Sequence, residues 1–406
     1  PFALLGFGSI VLMYFVAIEI FKNKKTALYS ALLLATNLSF LLLTRQVRYF
    51  PAVSFFILLG LLAFFKSKDH LKISRWDVVY VIAVIFLFTS QYFYGLALGI
   101  GIISYSFLKE KPIFKKQIIL HLILAFICSP YLFWMLDNPY AKELTEGSSS
   151  QFFENFIILL DKINAHILSL PLLILVLALI YNSITSKKAE KFKDDQYPKY
   201  FLLIGITALV LFIFSFVSQE VYFRYLCGVI PLLLLIFGRL LYVFHKIHKA
   251  IPISIIIIVL VVQGLPKYVS KELNSDYVGP IKGIVSFLEK ESNPGDKILI
   301  PYGDLPLKYY LPNRIYTGGH TASQPKDGDE FDFIVIRKTA IRKIDYETSI
   351  WIQNLLLKGN YELLGLNVAD NLFENRESPE THIWDAPKVT QEHQLIIARN
   401  LNYKQQ

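Results

Sequence analysis

The sequence predicts an α-helical polytopic membrane protein that carries a small α/β domain at its C-terminal end. Three observations predict this. Over 406 residues the mean hydropathy is +0.45, with 54% hydrophobic and only 18% charged residues, against roughly 25% charged in ordinary soluble domains. Apolar runs long enough to cross a bilayer recur along the chain and stop near residue 266. The net charge of +9 is also unevenly placed: residues 267–406 hold 17 basic and 19 acidic side chains, residues 1–266 hold 24 and 13. A basic excess lodged between apolar runs orients a chain in a membrane. It is not the contiguous patch a nucleic acid needs, so a nucleic-acid partner is excluded. Two cysteines exclude a disulfide framework.

About ten transmembrane helices are expected, because a hydrocarbon core of ~30 Å takes about 20 helical residues. The segments fall near 2–21, 26–43, 49–65, 76–89, 92–108, 117–136, 166–182, 200–217, 225–244 and 251–266. The fourth is short, and it and the fifth are alternatively one long segment. Loop charge separates the two. The loops 22–25, 66–75, 109–116, 187–199 and 246–249 hold 18 Lys and Arg, whereas 44–48, 90–91, 137–165 and 218–224 hold 5. The first set therefore faces the cytoplasm, and merging the two segments would put Lys109, Lys111, Lys115 and Lys116 outside. This orientation places Pro1 and the whole C-terminal region outside, in a multi-pass protein of the cell membrane. The only methionines are Met13 and Met135, and an apolar run begins at once on the outer side. The chain is read as N-terminally truncated, with a cleaved signal peptide as the alternative.

Residues 267–406 change character. Pro280–Glu291 has helical period, with Ile281, Ile284, Val285 and Leu288 on one face. Asn293-Pro294-Gly295-Asp296 is a stop and turn, and Lys297–Pro301 reads as a buried strand. Asp304-Leu305-Pro306 resembles an N-cap with proline in the first turn of a short helix through Leu311. Arg314–Thr317, Asp332–Arg337 and Tyr361–Val368 read as strands, Tyr346–Lys358 as an amphipathic helix, and Gly359-Asn360 as its C-cap. Alternating elements of both kinds make a small α/β domain. The last dozen residues are read as loose.

Polar groups on the outer face are the candidates for chemistry, since charge beside hydrocarbon is costly and often functional. Arg45 and Arg48 in Thr44-Arg45-Gln46-Val47-Arg48-Tyr49 share one face if that loop is helical. Paired guanidiniums suit a lipid phosphate, whose oxygens match the planar fork; simple snorkelling to headgroups is the alternative. Gln219-Glu220-Val221-Tyr222-Phe223-Arg224-Tyr225 adds an acid, an arginine and aromatics. Arg224 either joins the phosphate site or pairs with Glu220 in an aromatic belt. The stretch from Phe152 to Leu168 is amphipathic, with Glu154 and Asp161 toward water, and reads equally as a lid or as a passive surface helix. His245 and His248 sit among lysines and carry charge rather than metal. Cys128 and Cys227 read as small buried residues, and Gly99 and Gly101 as sites of close helix packing. His320 and His382 have no ligand-spaced partner. No phosphate loop, zinc-protease motif or nucleophile elbow occurs.

Taken together these stretches resemble the GT-C superfamily of polyprenyl-phosphate-sugar glycosyltransferases, specifically relatives of the protein mannosyltransferases and the lipid A aminoarabinose transferase. Pro1–Phe21 followed by Lys22-Asn23-Lys24-Lys25 resembles that family's second transmembrane helix and its basic turn. Thr44–Tyr49 with Pro51 resembles the loop between its third and fourth helices. Phe223-Arg224-Tyr225 with Val229-Ile230-Pro231-Leu232 resembles the entry to a late helix. Gly303-Asp304-Leu305-Pro306-Leu307-Lys308-Tyr309-Tyr310 resembles an outer-domain pattern. The resemblance implies transfer of a sugar from a polyprenyl-phosphate carrier to a glycan, lipid or protein acceptor hydroxyl, outside the cell and with inversion. Arg45, Arg48, Tyr49, Arg224 and Tyr225 are then the lipid-phosphate-binding residues. The family's catalytic acid lies in its first extracytoplasmic loop, upstream of what matches Pro1, so no residue here is assigned to catalysis. A divalent cation is compatible with the resemblance, but no ligand set is read for one. The competing readings are a transporter or flippase of lipid-linked saccharides, which predicts paired broken helices, a polymerase with a large central outer loop, and a non-catalytic anchor for the outer domain.

Overall fold

The computed structural model describes all residues except 69–71, 110, 138–150, 168–196, 219–220, 273–278, 302–303, 319–324, 327–328, 339–345, 372–378, 380–381, 383, 386 and 404–406. The chain divides into two compact units, and the division falls between Tyr268 and Val269.

The first unit is helical. Its elements are α1 (Phe2–Phe21), α2 (Lys24–Thr36), α3 (Leu38–Thr44), α4 (Phe50–Ser67), α5 (Arg75–Ser90), α6 (Tyr92–Lys109), α7 (Lys111–Asp137), α8 (Phe152–His166), α9 (Tyr197–Val217), α10 (Val229–Ile247), α11 (Ala250–Val262) and α12 (Leu265–Lys267). Several of these helices are apolar all round. On α1, Met13, Val16, Ala17 and Ile20 face the core, while Leu4, Phe7, Val11 and Phe15 are exposed on the other face. Phe126, Phe133 and Phe201 are likewise more than 70% exposed. Only a hydrocarbon solvent makes such surfaces favourable, and the chain is a multi-pass membrane protein.

Among the described residues five helices are long and apolar enough to cross a bilayer, or seven if each bent pair is one span. About ten were expected over the whole chain, and one of them, the 166–182 segment, lies almost wholly outside the described residues. The fourth and fifth segments are separate helices, parted by an extended Gln91 (φ −160°, ψ 97°). The bent pairs were not foreseen. α2 and α3 meet at 62° across Asn37, and the α11 axis turns by 55° at Gln263 and Gly264.

Ser74 and Asp77 open α5, with the Ser74 backbone N–H donating to Asp77 Oδ2 at 2.7 Å. Asp77 is fully buried and pairs with Lys116 Nζ at 3.1 Å, which also donates to the Ser67 carbonyl at 2.8 Å. Lys116, counted above among loop charges, is thus a buried tie between α4, α5 and α7. The expected role of the glycines as close-packing sites holds. A Cβ on Gly99 would stand 3.2 Å from His121, and one on Gly101 2.5 Å from Ile206.

The second unit is a three-layer α/β domain. It contains α13 (Pro280–Glu291), β1 (Lys297–Leu299), α14 (Asp304–Tyr310), β2 (Ile315–Thr317), β3 (Phe333–Ile336), α15 (Tyr346–Leu357), β4 (Tyr361–Ala369) and β5 (Gln394–Asn400). The sheet order is β2-β1-β3-β5-β4. β1 is parallel to β2 and β3, whereas β5 runs antiparallel to β3 and β4. Side chains alternate as a strand period of two requires. Ile298, Phe333, Val335, Leu395 and Ile397 pack with Ile284 and Leu288 of α13 and Leu307 of α14. Leu299, Ile334, Ile336 and Ala398 pack with Ile352 and Leu355 of α15 on the opposite face. The expectation that the last dozen residues are loose is wrong. β5 lies between β3 and β4 with Leu395 and Ile397 fully buried, so apolar burial on both faces holds it in place.

Two measurements check this packing. A Cβ on Gly238 of α10 would stand 2.0 Å from Ser30 Oγ and 2.7 Å from the Ser30 backbone nitrogen, whereas one on Gly205 meets nothing within 4 Å. Gly238→Ala should therefore cost about 1–3 kcal/mol through overpacking, read as a lower unfolding temperature in detergent, while Gly205→Ala leaves it unchanged. In the second unit, burial pushes the Tyr316 phenol to about 12. Burial and the Asp296 carboxylate, which accepts from its hydroxyl at 2.7 Å, take Tyr403 to about 12. An unfolded tyrosine titrates near ~10. Their contribution to stability is complete below about pH 10 and is lost as pH rises through about 12. Urea unfolding followed by near-ultraviolet circular dichroism should show this fall, and Tyr316→Phe should make it shallower.

Candidate functional site

The two arginine-bearing turns lie at opposite ends of the sequence of the first unit, and packing brings part of each together. Residues 223–226 form one 3-10 turn, Phe223–Leu226, between α9 and α10. Aromatic packing sets its shape. The Tyr225 ring stacks on Phe214 of α9 with centroids 4.7 Å apart and planes within 5°. Tyr222 meets Tyr225 edge-on at 5.8 Å. The Arg224 guanidinium lies over the Tyr222 ring at 4.2 Å and 5.8 Å from that of Tyr225, within cation–π range.

Polar groups under the turn anchor it to the bundle. The Tyr94 hydroxyl of α6 donates to the Tyr225 carbonyl at 2.6 Å and accepts from the Gly228 N–H at 3.0 Å. Glycine is required at 228, since a Cβ there would stand 2.4 Å from the Tyr94 ring. Ser54 Oγ of α4 donates to the Cys227 carbonyl at 2.7 Å. Cys227 is buried beneath the turn as a small apolar residue, as expected.

Tyr49 links this turn to the other one. It is the N-cap residue of α4, with Pro51 in the first helical turn, where a missing N–H costs nothing. Burial raises the pKa of its phenol above the ordinary value, Cys227 and Tyr225 push the same way, and the Arg224 and Arg48 guanidiniums oppose them. Arg48, Tyr49, Arg224 and Tyr225 are therefore electrostatic neighbours. The neutral phenol is a hydrogen-bond donor within electrostatic range of both guanidiniums.

Arg45 does not join them by helical spacing. α3 ends at Thr44 and residues 45–49 are a bend rather than a helix, so the shared helical face envisaged for Arg45 and Arg48 is not formed. Arg45 instead places its guanidinium 6.0 Å from the ring centroid of Tyr268. Sequence reasoning missed Tyr268, and it passed over Tyr222 as a generic belt aromatic. The Gly264-Leu265-Pro266 break just before Tyr268 was the available signal. Gln219 and Glu220 lie outside the described residues, so the proposed Arg224–Glu220 pair is not addressed.

Elsewhere the candidates are structural. His245 Nε2 sits 2.8 Å from Lys25 Nζ and its Nδ1 lies 2.8 Å from the Tyr29 hydroxyl, so it ties α10 to α2. His248 Nδ1 accepts from the Ala250 N–H at 3.2 Å and caps α11. His382 packs edge-on against Trp384 at 4.7 Å, and His320 lies outside the described residues. Among the described residues no three His, Cys, Asp or Glu side chains cluster as metal ligands would. On α8, Asn155 is buried and donates to the Ser218 carbonyl at 2.7 Å, while Glu154 and Asp161 are exposed as expected.

No protein-family model and no curated protein matches the chain. Among solved structures it is similar to ArnT from Cupriavidus metallidurans in the apo state, with a TM-score of 0.57 and 12% sequence identity over 98% of this chain and 83% of that one. The same protein bound to undecaprenyl phosphate matches with a TM-score of 0.52, again at 12% identity over the same shares. The chain thus shares the fold of ArnT, as the resemblance read from the sequence implied.

Replacing the hydroxyl that bridges α6 to the arginine turn tests the anchoring. Tyr94→Phe leaves the buried Gly228 N–H without its acceptor and should cost about 1–3 kcal/mol, measured as a thermal shift of the purified protein.

Proposed function

We propose that this chain acts as a membrane glycosyltransferase that moves a sugar from a polyprenyl-phosphate carrier to an acceptor hydroxyl on the extracytoplasmic face of the cell membrane, with inversion. One observation carries the reading. Arg48 and Arg224 lie on separate turns within electrostatic range of the half-buried Tyr49, in a fold that ArnT also has when bound to undecaprenyl phosphate.

The chemistry follows from charge. When the sugar leaves its carrier, the glycosidic oxygen becomes part of a phosphate that gains negative charge. Arg48 and Arg224 present N–H groups on a planar fork that matches phosphate oxygens, and the Tyr49 hydroxyl adds a neutral donor. Cations held in place before the bond breaks stabilise that charge as it develops, with no reorganisation cost at that moment. Tyr225 acts through Arg224 by fixing the turn that carries it. Arg45 supplies a further cation from the neighbouring bend. A general base must take the proton of the acceptor hydroxyl as the sugar moves, and no residue of this chain is assigned that role. The second unit takes part in binding the glycan, lipid or protein acceptor.

A transporter of lipid-linked saccharides is the second reading, and the broken α2–α3 and α11–α12 helices favour it, since such proteins build sites at helix breaks. Likeness to a transferase over 98% of the chain favours the first.

Binding of undecaprenyl phosphate to the purified protein, followed by native mass spectrometry, tests the site. Arg224→Ala and Arg45→Ala should each weaken binding by about 10- to 100-fold, the worth of a charge-assisted hydrogen bond. Unaltered binding in both would remove the assignment. Movement of the lipid across proteoliposomes without sugar transfer would favour the transporter.

A further inference from the structure

We infer that Tyr268, together with the Asn37–Gln263 bridge beneath it, positions Arg45 for the lipid phosphate; the inference rests on the transferase site proposed above. Both helix breaks lie at the same place. Asn37 Nδ2 donates to Gln263 Oε1 at 3.3 Å, so the break residue of one bent helix is bonded to that of the other. A Cβ on Gly264, whose φ is +80°, would stand 3.7 Å from Leu38, the first residue past the other break.

The groups freed by the breaks have partners. Asn37 Oδ1 accepts from the Phe40 N–H at 2.9 Å and caps α3. The last carbonyls of α8 take the remaining donors: Ser39 Oγ reaches His166 O at 3.3 Å and Gln263 Nε2 reaches Ile167 O at 3.2 Å. Amides so engaged hold one geometry, since leaving the buried Asn37 unpaired in hydrocarbon is costly.

The re-aimed ends then meet again. α3 leads into Arg45. The segment past Gly264 leads into Tyr268, which opens a π-helical turn, Tyr268–Glu272, a conformation frequent at functional sites. The Arg45 guanidinium and the Tyr268 ring stand 6.0 Å apart. The two broken helices form a bracket tied at its base by amides and at its tip by a cation–π contact. An arginine that must meet a phosphate benefits from being held before the ligand arrives. Arg45 is exposed and sits on a bend, so its own backbone does not hold it. Tyr268 is a positioning residue in this scheme and reaches the phosphate only through Arg45.

A double-mutant cycle on undecaprenyl phosphate binding tests this. Tyr268→Ala should weaken binding by about 3- to 10-fold, the range of a partly desolvated cation–π contact. Tyr268→Phe keeps the ring and should bind as the parent does. In the Arg45→Ala background Tyr268→Ala should add nothing, because the two act as one unit. Gln263→Met, which removes the amide at similar volume, should behave like Tyr268→Ala in both backgrounds. Equal losses in both backgrounds, or failure of Tyr268→Phe to restore binding, would overturn the proposal while leaving Arg45 in the site. Unchanged binding in Arg45→Ala, with Arg224→Ala still impaired, would overturn it through Arg45 itself and leave the rest of the site standing.

Discussion

Hydrocarbon cannot hydrogen-bond a peptide group, so every turn of helix within the bilayer must satisfy its own N–H and carbonyl groups. That constraint shapes the first unit. Where the chain departs from a continuous helix it must bring side-chain amides to the spot, and it does so at Asn37 and Gln263. The departures are what re-aim the chain ends that carry Arg45 and Tyr268. The same constraint accounts for Lys116 and Asp77. Neither charge survives alone in that setting, and together with the Ser67 carbonyl they lock three helices at one end of the bundle.

The arginine turn is held by a different device. The Arg224 guanidinium rests on the Tyr222 and Tyr225 rings, and Tyr225 stacks in turn on Phe214. Hydroxyls of Tyr94 and Ser54 bond the backbone beneath it. Two positive side chains near one phenol repel each other, and an anion between them relieves that repulsion.

The sequence made some of this plain. Apolar runs and lysine asymmetry revealed the helical unit, and strand periods around Ile298 and Phe333 revealed most of the sheet. Arg48, Tyr49, Arg224 and Tyr225 were legible because polar groups stand out between apolar segments. Three things were not. A single Asn within 26–43 reads as tolerated rather than as a break, because its bonding partners lie more than a hundred residues away at His166 and Gln263. Tyr268 follows the last apolar run and carries no charge, so the Gly264-Leu265-Pro266 break just before it is its one local mark. β5 was missed because its Arg399 and Asn400 flank a short apolar run near the end of the chain, where position argued for disorder. Its place between β3 and β4 is fixed only by long-range pairing.

That placement has a consequence for biosynthesis. β3 ends at Ile336, but the strand that must lie against it does not begin until Gln394. Until then the nascent parallel half exposes a bare, sticky flank to whatever surrounds it. A chain that stops short of β5 would keep the β3 edge unpaired, and the product would be prone to clumping.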